Sequence, residues 1–324
     1  MPQHPNIDPE LAIGLEALPP SMMPKALIDF NDMPGTRARA DELFAARQRS
    51  LPRNGRVTTE DRMVPGPEGA PDIRVRIYRP AGTSRALPGL YWIHGGGMVT
   101  GRLEDEDLRV KALVEQVGCV AVSVDYRLAP EHPYPAPVED CYAALVWASE
   151  RADDLGINLT LLAVGGASAG GGLAAATVLL ARDRGTPNLA FQLLICPMLD
   201  DRNITPSSHE ITDVGVWDRD MNISGWTALL GDKRGTDEVS PYAAPARASD
   251  LTGLPPTFID VGSLEVFRDE DVDYALRLMR ASVPTELHVY PGAYHGWDGF
   301  APTATISQAA VAARTGALRR ALLS

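Results

Sequence analysis

From Val57 onward the chain alternates short apolar runs with helical stretches, and this alternation limits the fold more than any other feature of the sequence. Asp72 to Tyr78 alternates polar and apolar residues, the pattern of an antiparallel strand. Gly89 to Ile93, Cys119 to Val124, Leu159 to Val164, Phe191 to Ile195 and Thr257 to Val261 are short apolar runs, as expected of strands buried on both faces. Glu286 to Tyr290 reads as a last strand. Helices are expected over Val138 to Glu150, Leu173 to Arg184 (closed by Gly185), Arg268 to Ala281 and Ile306 to Leu323. Interleaving of this kind requires an α/β fold with a mostly parallel central sheet and helices on both faces. The 324 residues, 45% of them hydrophobic, suffice for one large domain of this class with an attached subdomain, or for two modest domains.

Two stretches break the rhythm. Residues 1 to about 55 carry prolines at 2, 5, 9, 19, 20, 24 and 34, then one helical stretch from Arg37 to Arg49, with Ala40, Leu43, Phe44 and Ala46 at helix-compatible spacings. Leu11, Ile13, Leu15, Leu18, Met22, Met23, Leu27, Ile28 and Phe30 make this segment too apolar for a solvated tail, which favours a lid or cap. The stretch from about 200 to 250 holds Trp217, Trp226 and several turn residues, and reads as an insertion. The expected division is a cap segment over 1–55 and a catalytic domain over 56–324 that carries a cap insertion at about 200–250.

Charge and composition remove several function classes. The formal net charge is −12, which argues against nucleic acid and against polybasic membrane attachment. Cys119, Cys141 and Cys196 are odd in number and widely spaced, so neither a disulfide framework nor a zinc site of the usual spacing is expected. Each lies in an apolar run and reads as a small buried hydrophobe, consistent with a reducing cytoplasm. Met1-Pro2-Gln3-His4-Pro5 has no basic start leading into an apolar run, so no signal peptide is expected. No stretch stays apolar for about 18 residues, so no spanning helix is expected.

Chemistry concentrates in three places. Gly166-Ala167-Ser168-Ala169-Gly170 lies between an apolar strand and a helix expected to open after Gly172. A serine on so tight a turn needs small neighbours, and the turn presents its hydroxyl at the helix N-terminus, where the dipole and free N–H groups stabilise negative charge. Alone, this pattern also fits a glycine-rich loop that merely packs a helix close to a strand. His94-Gly95-Gly96-Gly97 follows the strand ending at Ile93. Backbone N–H groups of Gly96 and Gly97, with that of Ala169, are placed to face a developing oxyanion. A phosphate loop is the rival for these glycines, but no Gly-Lys-Ser/Thr follows and no Gly-x-Gly-x-x-Gly is present. Among His4, His94, His132, His209, His288 and His295, only His295 follows the last strand, through an expected Pro291-Gly292-Ala293-Tyr294 turn. Open α/β sheets place functional groups at that end of their strands. His94 is expected to brace its loop rather than titrate, and His288 to sit on a strand face.

Taken together, His94 to Gly97, Asp125-Tyr126-Arg127-Leu128-Ala129-Pro130-Glu131, Pro135-Ala136, Asp140 and Gly166 to Gly171 resemble the hormone-sensitive-lipase family of bacterial carboxylesterases, over roughly residues 57 to 322. The resemblance implies an α/β-hydrolase fold with a helical cap, a Ser/acid/His mechanism, short-to-medium acyl esters as substrates and no cofactor or metal. It implies a scaffold role for Tyr126 to Pro135. Ala167 departs from the family, where Asp is common beside the nucleophile. The expected partner is a small-molecule ester, with neither nucleic acid nor membrane, and a homodimer is compatible with the chain. A ligand-binding relative that had lost turnover would have lost the base, which this chain keeps at His295. An amidase or lactonase would share every one of these residues.

The acid must follow the strand Thr257–Val261 and precede the base in chain order. Asp260, Glu265, Asp269, Glu270 and Asp271 compete. Asp260 is still within the strand, and Asp269 to Asp271 open a helix, where the dipole alone favours acids. Glu265 is the one placed in the loop. Laying the family pattern Asp-Pro-Leu-x-Asp on Glu265-Val266-Phe267-Arg268-Asp269 also puts Glu265 at the catalytic position, with Glu for Asp as the departure. Asp269 stays open as the alternative.

Overall fold

Eight strands form a single sheet in a computed structural model of the chain, which describes residues 6–18, 23–49, 55–83, 85–213 and 216–323. Three helices, α1 (Pro9–Glu16), α2 (Pro24–Leu27) and α3 (Met33–Arg49), precede it. The sheet begins with β1 (Val57–Val64), β2 (Ile73–Pro80) and β3 (Leu87–Ile93). Then α4 (Asp107–Val117), β4 (Val120–Asp125), α5 (Ala136–Glu150), α6 (Ala152–Leu155), β5 (Ile157–Ala167), α7 (Ala169–Arg184) and β6 (Phe191–Ile195) alternate. The insertion contributes α8 (Pro206–Glu210) and α9 (Arg219–Leu230), after which β7 (Thr257–Leu264), α10 (Arg268–Arg280), β8 (Thr285–Tyr294), α11 (Trp297–Phe300) and α12 (Thr305–Leu323) complete the domain.

The strand order is β1-β2-β4-β3-β5-β6-β7-β8. β1 and β2 run antiparallel to their neighbours, and every pairing from β4 to β8 is parallel. The chain therefore forms the α/β-hydrolase fold, and the reason is visible strand by strand. All seven residues of β3 and all five of β6 are buried, as the uninterrupted apolar runs require of strands covered on both faces. β1 alternates only weakly and leaves four consecutive residues exposed, as suits a sheet edge. α4 packs with α12, and α5 packs with α7, so helices cover the sheet. Gly118 and Gly185 close α4 and α7 in the left-handed conformation, where a side chain would be strained.

The structure departs from the sequence reading at β8, α7 and α4. β8 runs through Pro291-Gly292-Ala293 to Tyr294, so His295 follows the strand directly rather than after a turn. The extension pairs with β7 as far as Leu264, across a bulge between Gly262 and Leu264 that re-aims the strand. α7 starts at Ala169, four residues earlier than its apolar pattern shows, because three glycines let it open against neighbouring backbone. α4 is a further helix to which the sequence reading assigns no element, and Asp107 stands in its first turn.

Ahead of the sheet, Leu11 and Met33 are buried whereas Ile13 is exposed. Met22, and the side chains of Leu43, Phe44 and Ala46, lie outside the described residues. None of the described helices is long and apolar enough to cross a membrane.

Candidate active site

The elbow after β5 is built by close backbone contacts. A Cβ on Gly170 would lie 2.1 Å from the carbonyl oxygen of Ile93 and 2.4 Å from that of His94, so only glycine lets α7 begin against the end of β3. Ser168 takes a φ of +58°, a left-handed conformation costly for a residue with a Cβ. It is held there by its own N–H, which donates to Ile195 O at 2.8 Å, and by its carbonyl, which accepts from the amides of Gly172 and Met198 at 3.0 Å each. The hydroxyl thus stands at the N-terminus of α7, where the amide of Ala169 has no partner within the helix.

His295, directly after β8, meets this hydroxyl. Its Nε2 lies 3.0 Å from Ser168 Oγ, and its Nδ1–H donates to Glu265 Oε1. Glu265 is buried at the end of β7, and its second oxygen accepts from the Gly262 amide at 3.1 Å, which fixes the carboxylate plane. The Phe267 ring stands edge-on to the imidazole, 5.4 Å between centroids. The other carboxylates considered from the sequence face elsewhere. Asp260 pairs with Arg314, Asp269 accepts from the Ser207 amide at 2.7 Å and pairs with Arg268, and Glu270 accepts from the amides of Leu199 and Asp200. Asp271 is fully buried on α10. Partial burial raises the Asp269 carboxyl, but Arg268 and Ser207 outweigh it and hold it below the usual carboxylate range.

The glycine run lies beside the serine. A Cβ on Gly95 would sit 3.4 Å from Ser168 Cβ. Gly96 adopts a φ of +115°, reachable without strain only by glycine, and its carbonyl closes the turn by accepting from the amides of Val99 and Thr100. His94 is buried under this loop, stacked on Tyr126 at 4.2 Å, and Tyr126 Oη donates to His94 O at 3.0 Å. Burial pushes its pKa down, so it braces the loop as a neutral ring. The segment after β4 is likewise structural: Arg127 makes a two-pronged contact with the buried Asp140. His288 lies on β8, where its Nε2 meets Glu286.

Three neighbours of the site carried no marked role in the sequence. Trp217, from the insertion, is buried with its ring edge over Gly97 and its centroid 6.5 Å from that of His295. Its indole N–H donates to Asn222 Oδ1. Arg37 of α3 donates to the carbonyls of Val99 and Ala129 and pairs with Glu131, so the N-terminal segment grips the far end of the glycine loop. Cys196 follows β6, and burial, then the Glu265 and Asp260 carboxylates, push its thiol well above the ordinary range. Its position directly after a parallel strand was the available signal.

The alpha/beta hydrolase fold family model matches residues 90–299. The chain is 36% identical to "Carboxylesterase NlhH" of Mycobacterium tuberculosis over 98% of its own length and 97% of that protein's. It is 36% identical to "Esterase LipI" of the same organism, over 94% and 92%. Among solved structures, "Bacterial Heroin Esterase" superposes with a TM-score of 0.92 at 43% identity, covering 99% of each chain. The chain belongs to the hormone-sensitive-lipase-like family of α/β-hydrolase-fold carboxylesterases.

Proposed function

We propose that this ester hydrolase works through an acyl-enzyme on Ser168, with His295 as general base and Glu265 as the acid that orients it, on esters of short-to-medium acyl chains. The observation that carries the reading is the hydrogen-bonded line from Glu265 through His295 to Ser168 Oγ. Nδ1 holds its proton toward Glu265, so Nε2 presents a lone pair to the serine hydroxyl. As Oγ attacks the ester carbonyl, its proton passes to Nε2, and the imidazolium is stabilised by the buried carboxylate. The carbonyl oxygen becomes an oxyanion facing the amides of Gly96, Gly97 and Ala169. His295 then returns the proton to the leaving alcohol, and water repeats the sequence to release the acid. No step calls on a cofactor.

The segment over 1–55 and the insertion at about 200–250 form the cap over the 56–324 catalytic domain. Arg37 and Trp217, one from each piece, both reach the glycine loop, which supports that division. A fluorophosphonate ester tests the mechanism. It should inactivate the protein with one equivalent and leave its adduct on the peptide that contains Ser168. An adduct elsewhere, or full activity after labelling, contradicts the reading.

A further inference from the structure

Beside the imidazole of His295 lies a group that the acyl-transfer chemistry does not use. β6 ends at Ile195, and Cys196 follows with a φ of +36°, a left-handed turn at a non-glycine residue. Its amide donates to Asp260 O at 2.7 Å, which ties this turn to β7, the strand that leads into Glu265. Cys196 Sγ, a Glu265 carboxylate oxygen and a ring nitrogen of His295 all lie within 4.8 Å of one another, and all three residues are buried. Nδ1 is the ring nitrogen that faces Glu265. The thiol forms no disulfide.

We propose that Cys196, Glu265 and His295 form a site for a thiophilic divalent cation such as Zn²⁺, and that filling it switches the enzyme off. The switching half rests on the reading of His295 as the base; the binding half does not. One thiolate, one imidazole and one carboxylate are a zinc-type donor set and not a magnesium-type one. Metal–ligand bonds of about 2.0–2.3 Å in a tetrahedron separate the donors by roughly 3.3–3.8 Å. That spacing lies under the 4.8 Å that bounds the three donors, and the Glu265–His295 contact has to open to reach it. The thiol proton leaves to solvent as the thiolate binds. The Nδ1 proton is displaced and is regained on Nε2, so the imidazole stays neutral. Nε2–H then faces Ser168 Oγ as a donor, and the lone pair that accepts the serine proton is gone.

The test uses chelator-stripped full-length protein and zinc chloride alone. Wild-type turnover should fall at micromolar Zn²⁺ and return with EDTA, while the same concentration of Mg²⁺ changes nothing. Each variant is read as its own ratio of activity with and without zinc. In Cys196→Ser, and in Cys196→Ala should the first fold poorly, the inhibiting concentration should rise by at least on the order of 100-fold, since a direct ligand is lost and not merely an outer-shell partner. Equilibrium dialysis reads binding without activity. Wild type and Ser168→Ala should each hold one tight zinc per chain, and Ser168→Ala/Cys196→Ser should lose it. Equal zinc sensitivity in the Cys196 variants, equal inhibition by Mg²⁺, or unchanged stoichiometry would overturn the proposal. Retained turnover in Ser168→Ala would instead overturn the acyl-enzyme reading and leave the binding result standing.

Discussion

Lys25, ahead of the sheet, donates to Asp218 of the insertion at 2.5 Å, next to Trp217. Asp218 is buried and also caps α9 by accepting from the Met221 amide, whereas Lys25 is half exposed. The pair joins the two segments proposed as the cap, at the residue next to Trp217. The join itself contributes little, up to about 1 kcal/mol for so exposed a lysine. The burial of Leu11 and Met33 does more. Deleting residues 1–50 should therefore expose apolar surface and shift the acyl-length preference, measured with p-nitrophenyl esters from acetate to palmitate. An unchanged profile in a folded, soluble truncation would contradict the cap assignment.

Glu265 and Asp269 are separable by their amides. Glu265→Gln keeps the shape but removes the charge that holds the Nδ1 tautomer and stabilises the imidazolium, so kcat should fall by on the order of three to four decades. Asp269→Asn disturbs contacts with Ser207 and Arg268 and should have a smaller effect. The reverse order would move the orienting role to Asp269.

Trp217 bounds the space over Gly97 and His295. Trp217→Leu should raise kcat/KM for bulky esters relative to acetate by about tenfold, the scale on which pocket volume discriminates substrates. An unchanged ratio would show that the indole does not limit the substrate.

Much of this was legible in the sequence because the chemistry sits where strands end. The runs ending at Ile93, Val164 and Ile195 mark the parallel core, and the residues beyond such runs, from His94 to Gly97 and around Ser168, lie at the proposed site. Chain order and flanking pattern, with the family pattern for Glu265, single out Ser168, Glu265 and His295, and the fold brings these three into contact. The rest was hidden for physical reasons. β8 reaches Tyr294 through a proline and a glycine because a bulge in its pairing with β7 accommodates them, which no local pattern announces. α7 begins among glycines that disfavour helix, since tertiary packing against Ile93 and His94 overrides propensity. Trp217 and Arg37 reach the glycine loop only through the tertiary fold.

Asp105, in the turn at Leu103–Glu106, gives a pH signature away from the site. Burial pushes its carboxyl up to about 6 against the pull of Arg102. The folded state therefore holds a proton that the unfolded chain releases near pH 4, so this group's contribution to stability falls as pH rises from about 4 to about 6. Asp105→Asn should be more stable than wild type at pH 7 to 8, with the difference vanishing below about pH 4 in urea titrations. A gain of equal size at both pH values would show that the carboxyl's ionisation is not its source.

The Ser168 hydroxyl is the proposed nucleophile. Steady-state kinetics of Ser168→Ala on p-nitrophenyl acetate, with circular dichroism to verify the fold, tests it most directly. The loss in kcat should be on the order of four to six decades at unchanged fold. A folded variant that keeps even about a tenth of wild-type turnover would contradict it.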